Sequence, residues 1–148
     1  MFTGIVESLG IIKEIAASGT NKTFWIESSI SSSFKIDQSI AHNGVCLTVE
    51  NVHDNLHRVT AIEETLNKTD LNQWSTGTHI NIERSLLPTN RLDGHFVQGH
   101  VDTTGTCKKI RGKQGSQEFE FGFPKKFAPF IIEPRFLSYK SYYYAFSF

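Results

Sequence analysis

An all-β fold, a small barrel or sandwich, is what this sequence predicts, on three observations. Its apolar and aromatic runs are short and β-branched. Turn residues punctuate them at close spacing, and one stretch of the chain recurs downstream. Short strands at regular spacing with turn signals between them are the mark of such folds.

Each element follows in order. Phe2 to Ile15 reads as a strand start, a break at Gly10 and a second stretch, Ile11 to Ile15. Thr23-Phe24-Trp25-Ile26-Glu27 is aromatic and β-branched, as strands prefer. Gly44-Val45-Cys46-Leu47-Thr48-Val49 reads as a buried strand entered through the turn signal Asn43-Gly44. His57 to Ile62 follows, and then His79-Ile80-Asn81-Ile82-Glu83-Arg84, where apolar and polar residues alternate as on a half-buried strand. Helical character is confined to one or two turns at Ser31–Ile36 and at Glu63–Leu71.

The repeat appears when the chain is laid over itself so that Phe2 meets Val97. Gly4 then meets Gly99, Val6 meets Val101 and Gly10 meets Gly105, while Glu7 over Asp102 keeps the acid. In the same frame Phe24 lies over Phe119 and Ile26 over Phe121. Agreement across two separated segments without a gap predicts a duplicated unit. The first unit is then 1–95 and a second, incomplete one 96–133. The frame fails beyond this point, because the residues opposite Ser39–Thr48 carry no Asn-Gly turn and no Leu-Thr pair. All four tyrosines fall in 134–148, which is predicted to be an aberrant aromatic tail, the alternative being an aromatic strand that packs on the barrel.

Composition narrows the function. Fifteen basic residues balance fifteen acidic ones, so no net field draws the chain to nucleic acid or an anionic membrane. No apolar run approaches the roughly 18 residues of a membrane span, and the N-terminus lacks the features of a secretory signal. Cys46 and Cys107 lie far apart outside any CxxC, which argues against a disulfide framework or structural zinc. The expectation is a cytoplasmic protein with free thiols and no metal.

Read from the residues alone, Cys46 is a small apolar core thiol, with a reactive one as the alternative. Thr48 shares its strand face. The segment Gly94-His95-Phe96-Val97-Gln98-Gly99-His100-Val101-Asp102 is dense in Gly and His. On a regular strand His95 and His100 face opposite sides, which disfavours a shared metal and leaves a hydrogen-bonding or acid–base role open. Gly99 permits a planar ligand to approach the backbone. No phosphate loop, nucleophile elbow or HExxH is present.

Four segments, Met1–Glu7, Ser39–Val49, Glu64-Thr65-Leu66 and Gly94–Asp102, together resemble the riboflavin synthase family, which is built from two similar lumazine-binding barrels. The resemblance covers 1–133. It implies six-stranded Greek-key barrels and transfer of a four-carbon unit between two 6,7-dimethyl-8-ribityllumazine molecules. The products would be riboflavin and 5-amino-6-(D-ribitylamino)uracil, with no cofactor. By the same resemblance Gly4, Ile5 and Val6 would line the ring site, with Phe2 near its mouth. Ser39, Cys46, Leu47 and Thr48 would contact the pteridine. Thr60, Ala61, Ile62, Glu63, Glu64 and Thr65 would bind ring edges and ribityl chain, and Gly99, His100 and Val101 would complete the pocket. Cys46 and His100 are the candidates for nucleophile addition or proton movement, whereas His42 and His95 read as structural.

The resemblance further implies a homo-oligomer, a trimer in the family with dimer or monomer as alternatives here, and association with lumazine synthase. The sequence departs from the family at Pro134, where a lysine is expected, and the Gly-x-Ser-Leu-Thr strand that should follow is absent. A non-catalytic lumazine- or flavin-binding module of the same fold is therefore the competing expectation. A reductase-type flavin barrel would want an Arg-x-Tyr-Ser motif, and the first tyrosine is Tyr139.

Overall fold

The computed structural model describes residues 1–89 and 91–130, together with the backbone of 135–139 and 142–146. Its centre is a closed barrel of six strands: β1 (Ser8–Ser18), β2 (Asn21–Ser28), β3 (Ser39–His42), β4 (Val45–His53), β5 (Leu56–Ala61) and β6 (His79–Arg84). The strand order is β1-β2-β5-β4-β3-β6, and β6 pairs back to β1. Every pairing is antiparallel, and the chain leaves β2 to enter β3 three places away, past β5 and β4, in the manner of a Greek key. Closure removes the unpaired edges that an open sheet would expose.

Alternation builds the core. Phe24 and Ile26 of β2, Leu47 and Val49 of β4, Val59 and Ala61 of β5, and Ile80 and Ile82 of β6 point inward and are buried. Each fully buried large apolar side chain stabilises the fold by roughly 1.5–3 kcal/mol. The β3–β4 hairpin turns through Asn43 and Gly44, both at positive φ (49° and 83°). That is the two-residue turn whose twist matches antiparallel strands, and it pairs Ala41 with Cys46 and Ser39 with Thr48. A short helix α1 (Glu63–Lys68) plugs one end, with Leu66 and then Leu71 and Trp74 inserted into the core. Trp74 meets Phe24 edge-on at 5.3 Å between ring centroids.

Three expectations are revised. Gly10 breaks nothing; it lies buried inside β1, where an added Cβ would stand 2.6 Å from Ile82 Cδ1 and 2.9 Å from Ile26 Cγ2. The turn at Ser31 is a single 3-10 turn, Ser31–Ser33. Glu83, expected on the solvent face of its strand, is only 4% exposed.

The repeat is visible in the backbone. Strands β7 (Thr106–Lys113) and β8 (Ser116–Gly122) form a hairpin followed by a 3-10 segment, Lys125–Phe130, as β1 and β2 are followed by Ser31–Ser33. The bulge between Ile12 and Glu14, opposite Ile26 and Trp25, recurs between Cys107 and Lys109, opposite Phe121 and Glu120. These are the same positions in the repeat frame, so the two hairpins share their bulge as well as their pairing. Phe2 and Val97, also repeat partners, bond each other reciprocally, with Phe2 N to Val97 O at 2.7 Å and Val97 N to Phe2 O at 2.9 Å. Reciprocal bonding of equivalent residues is the pattern of a local two-fold contact. Beyond this hairpin only part of a second barrel is present. Strands β9 (Arg135–Tyr139) and β10 (Tyr142–Phe146) make a separate antiparallel ladder. The departure at Pro134 lies outside the described residues.

Candidate functional site

The N-terminal segment crosses the barrel wall as a strap. Phe2 is completely buried and Thr3 accepts a hydrogen bond from His95 N at 3.0 Å. Gly4 then turns the chain at φ 88°, a conformation that favours glycine. Past that turn Ile5 and Val6 are exposed, at 47% and 36%. Large apolar side chains presented to solvent beside a polar wall are a feature of ligand sites.

Against this strap lies the start of the second repeat. Gly99, at φ 78°, accepts a hydrogen bond from Cys46 N at 2.9 Å. A Cβ built there would stand 2.9 Å from both Cys46 Cβ and Phe2 Cε2. The structure therefore brings Phe2, Cys46 and Gly99, distant in sequence, into one corner. Two residues on, Val101 packs against the barrel core, while His100 between them is exposed.

Cys46 is half-buried on the outer face of β4, so the core-thiol reading from sequence gives way to a partly accessible thiol. Thr48 and Glu50 follow it on the same face and are exposed, whereas Val45, Leu47 and Val49 turn inward. Leu47 can thus offer a ligand on that face only its backbone, and the same holds for buried Ala61. Ser39 pairs with Thr48 across β3 and β4. Thr60 extends the polar face onto β5, where its hydroxyl bonds Thr23 Oγ1 at 2.9 Å and Glu50 Oε2 at 3.0 Å. Hydroxyls from four strands, β3, β4, β5 and β2, thereby line one outer wall, a surface suited to a polyhydroxylated chain.

Ile62, Glu63 and Glu64 are exposed where β5 gives way to α1, and Thr65 is half-buried. The two acids occupy the first turn of the helix, where its dipole favours them, and Glu64 also takes Lys68 Nζ at 2.7 Å. Among the described residues no group of three or more His, Cys, Asp or Glu could hold a metal ion. No helix among them is long and apolar enough to cross a membrane.

Beneath the wall lie two histidines. His42 and His57 are both fully buried, their Nε2 atoms 2.9 Å apart, and His57 Nδ1 is 2.7 Å from Ser31 Oγ. Burial holds His57 down to about 4 and His42 well below the usual imidazole range. His42 Nδ1 makes no full hydrogen bond and receives only weak support from the Ile40 backbone. Both rings serve the interior, as the position of His42 ahead of the turn led one to expect.

Sequence reasoning missed Glu83. Its carboxylate receives Thr3 N at 2.5 Å, Thr3 Oγ1 at 2.7 Å and Gly4 N at 3.1 Å. The alternation of β6 placed it correctly on the outer face, but nothing local signalled that the strap would cover it.

The family model for the lumazine binding domain matches residues 3–85. The riboflavin synthase of Bacillus amyloliquefaciens is 40% identical over 81% of this chain and 56% of its own length. That of Schizosaccharomyces pombe is 37% identical over 96% of this chain and 67% of its own. The chain thus spans little more than half of the first of these relatives. Among solved structures, LumP complexed with riboflavin superposes with a TM-score of 0.82 at 22% identity, over 98% of this chain and 79% of LumP. LumP complexed with 6,7-dimethyl-8-(1'-D-ribityl) lumazine gives 0.81 at 20% identity. With a barrel of the same fold, a family match over more than half its length and close riboflavin synthase relatives, the chain belongs to the lumazine-binding, riboflavin synthase family.

Proposed function

We propose that the outer wall of the first barrel binds 6,7-dimethyl-8-ribityllumazine and serves the riboflavin synthase reaction. The observation that carries this reading is the corner of Phe2, Cys46 and Gly99, flanked by the exposed Ile5–Val6 crest and the hydroxyl wall. The flat heterocycle would lie on the crest and the Gly99 backbone. The ribityl chain would run along Ser39, Thr48 and Thr60, and Ile62 to Thr65 would close the far end. Residues 1–95 form the first unit in this proposal, 96–133 the incomplete second, and 134–148 the divergent tail.

In the reaction one lumazine loses a proton from a ring methyl and its carbanion attacks an electrophilic carbon of the second. Four carbons pass across, so the acceptor becomes riboflavin and the donor leaves as 5-amino-6-(D-ribitylamino)uracil, with atoms balanced and no outside oxidant. Holding both rings face to face would supply much of the rate by making the encounter unimolecular. Cys46, half-buried at the corner, is the candidate for nucleophile addition, and His100, exposed one residue past Gly99, for proton transfer. The proposal includes a homo-oligomer in which a second chain supplies the second ring site, and riboflavin as a ligand.

The second reading is a non-catalytic lumazine- or flavin-binding module. It is favoured by the fold shared with LumP, whose structures hold riboflavin or the lumazine. Incubation of the protein with 6,7-dimethyl-8-ribityllumazine separates the two. Riboflavin absorbance growing in proportion to protein supports the enzyme, and fluorescence-detected binding without turnover supports the module. No binding refutes both.

A further inference from the structure

Two successive backbone N–H groups and a threonine hydroxyl converge on one buried carboxylate. Thr3 N and Gly4 N donate directly to Glu83 Oε1, and Thr3 Oγ1 donates to the same oxygen at 2.7 Å while accepting from Ile5 N at 3.2 Å. Consecutive N–H groups around a positive-φ residue form a concave nest that favours an anion. Here the anion is a side chain of the barrel itself. On the far side of the crest the arrangement is reversed. Glu7 of the strap takes Arg84 N at 2.7 Å and Arg84 Nε at 2.8 Å, with Glu7 N bonded to Ile82 O at 2.9 Å. Ile5 and Val6 are thus suspended between two anchors on β6, one on each side, with their side chains outward.

The Glu7–Arg84 pair is solvent-accessible and modest in strength, whereas hydrogen bonds from backbone N–H groups to a buried carboxylate are the strong, directional kind. From this geometry, and resting on the lumazine-site reading above, we infer that Glu83 is a positioning residue that presets the Thr3–Val6 strap as the floor of the ring site. Binding then requires no ordering of the strap, which is the usual source of affinity in a preorganised site. Glu83 touches no ligand in this scheme; it acts through the backbone of Thr3, Gly4 and Ile5.

The test compares wild type, Glu83→Gln and Thr3→Val. Each is titrated with 6,7-dimethyl-8-ribityllumazine by fluorescence, with amide hydrogen exchange and thermal unfolding measured in parallel. Glu83→Gln keeps the size but turns an N–H group toward the N–H groups of the strap. It is expected to bind at least ten-fold more weakly, with faster exchange confined to residues 2–7 and 95–97 and the barrel strands unchanged. Thr3→Val, which removes only the bridging hydroxyl, is expected to show a smaller loss in the same direction, and it carries the test should Glu83→Gln not fold. Unaltered affinity in the variants overturns the inference, and so does a loss that follows faster exchange throughout the barrel. A wild type that fails to bind overturns the site reading itself, a result distinct from wild-type binding that the variants retain.

Discussion

At Gly99 the chain meets Cys46 and Phe2 so closely that a single methyl group would displace both. A positive φ adds backbone strain to that crowding. Gly99→Ala is therefore expected to lose about 1–3 kcal/mol of stability through overpacking and left-handed strain. Denaturant unfolding checks this, and loss of lumazine binding should accompany it. Cys46 makes the opposite kind of prediction. Its side chain is half-buried and lies outside the buried core cluster that holds Ile80 and Ile82, and serine keeps its Cβ, so Cys46→Ser should leave the unfolding midpoint nearly unchanged. Turnover, if the thiol adds to the ring, should fall by ten-fold or more. A variant that merely melts earlier would return Cys46 to a structural role.

Among the elements, β1 shows how a strand can carry a glycine for packing rather than for bending. Gly10 pairs with Ser28 on one side and Ile80 on the other, and its missing side chain admits Ile82 and Ile26. Gly10→Ala should cost about 1–3 kcal/mol, measured by urea unfolding, because neither isoleucine can withdraw without opening the core. The same residue read as a strand break from sequence, since glycine's local signal is identical in both cases. The β3–β4 hairpin was more legible: Asn43-Gly44 names its own turn type, and the register of Cys46 and Thr48 follows from it. Alternation on β6 was legible too, but it could not announce the strap that buries Glu83.

For the whole molecule, acid is the informative variable. His42 and His57 are neutral inside the barrel and share one hydrogen bond, which survives only while at least one ring is uncharged. Unfolded histidine takes up its proton near 6.5, and the folded His57 does so near 4. The unfolded chain thus binds more protons between these values. Stability is complete above about pH 6.5 and declines as pH falls toward 4, by about 3 kcal/mol from His57 alone, with His42 adding in the same direction. Urea midpoints between pH 7 and pH 4 check the slope. Imidazole NMR titration should show the His42 and His57 rings still neutral well below the usual imidazole range. A stability flat across that range would mean the pair is not buried as the structure has it.

What the sequence determined by itself was the strand content, the Asn-Gly turn and the duplication, because alternation, turn chemistry and a repeated frame are local or self-referential signals. The family followed from motifs spread along the chain, and the comparisons bore it out. Tertiary structure alone decided which of those residues meet. It closed six strands into a barrel by pairing β6 with β1, set Gly99 against Cys46, and folded the N-terminal strap over Glu83. Such contacts join positions about fifty to eighty residues apart, and no local preference encodes them. Their physical origin is the need to satisfy buried polar groups and fill the core at once, a condition that exists only when the whole barrel is assembled.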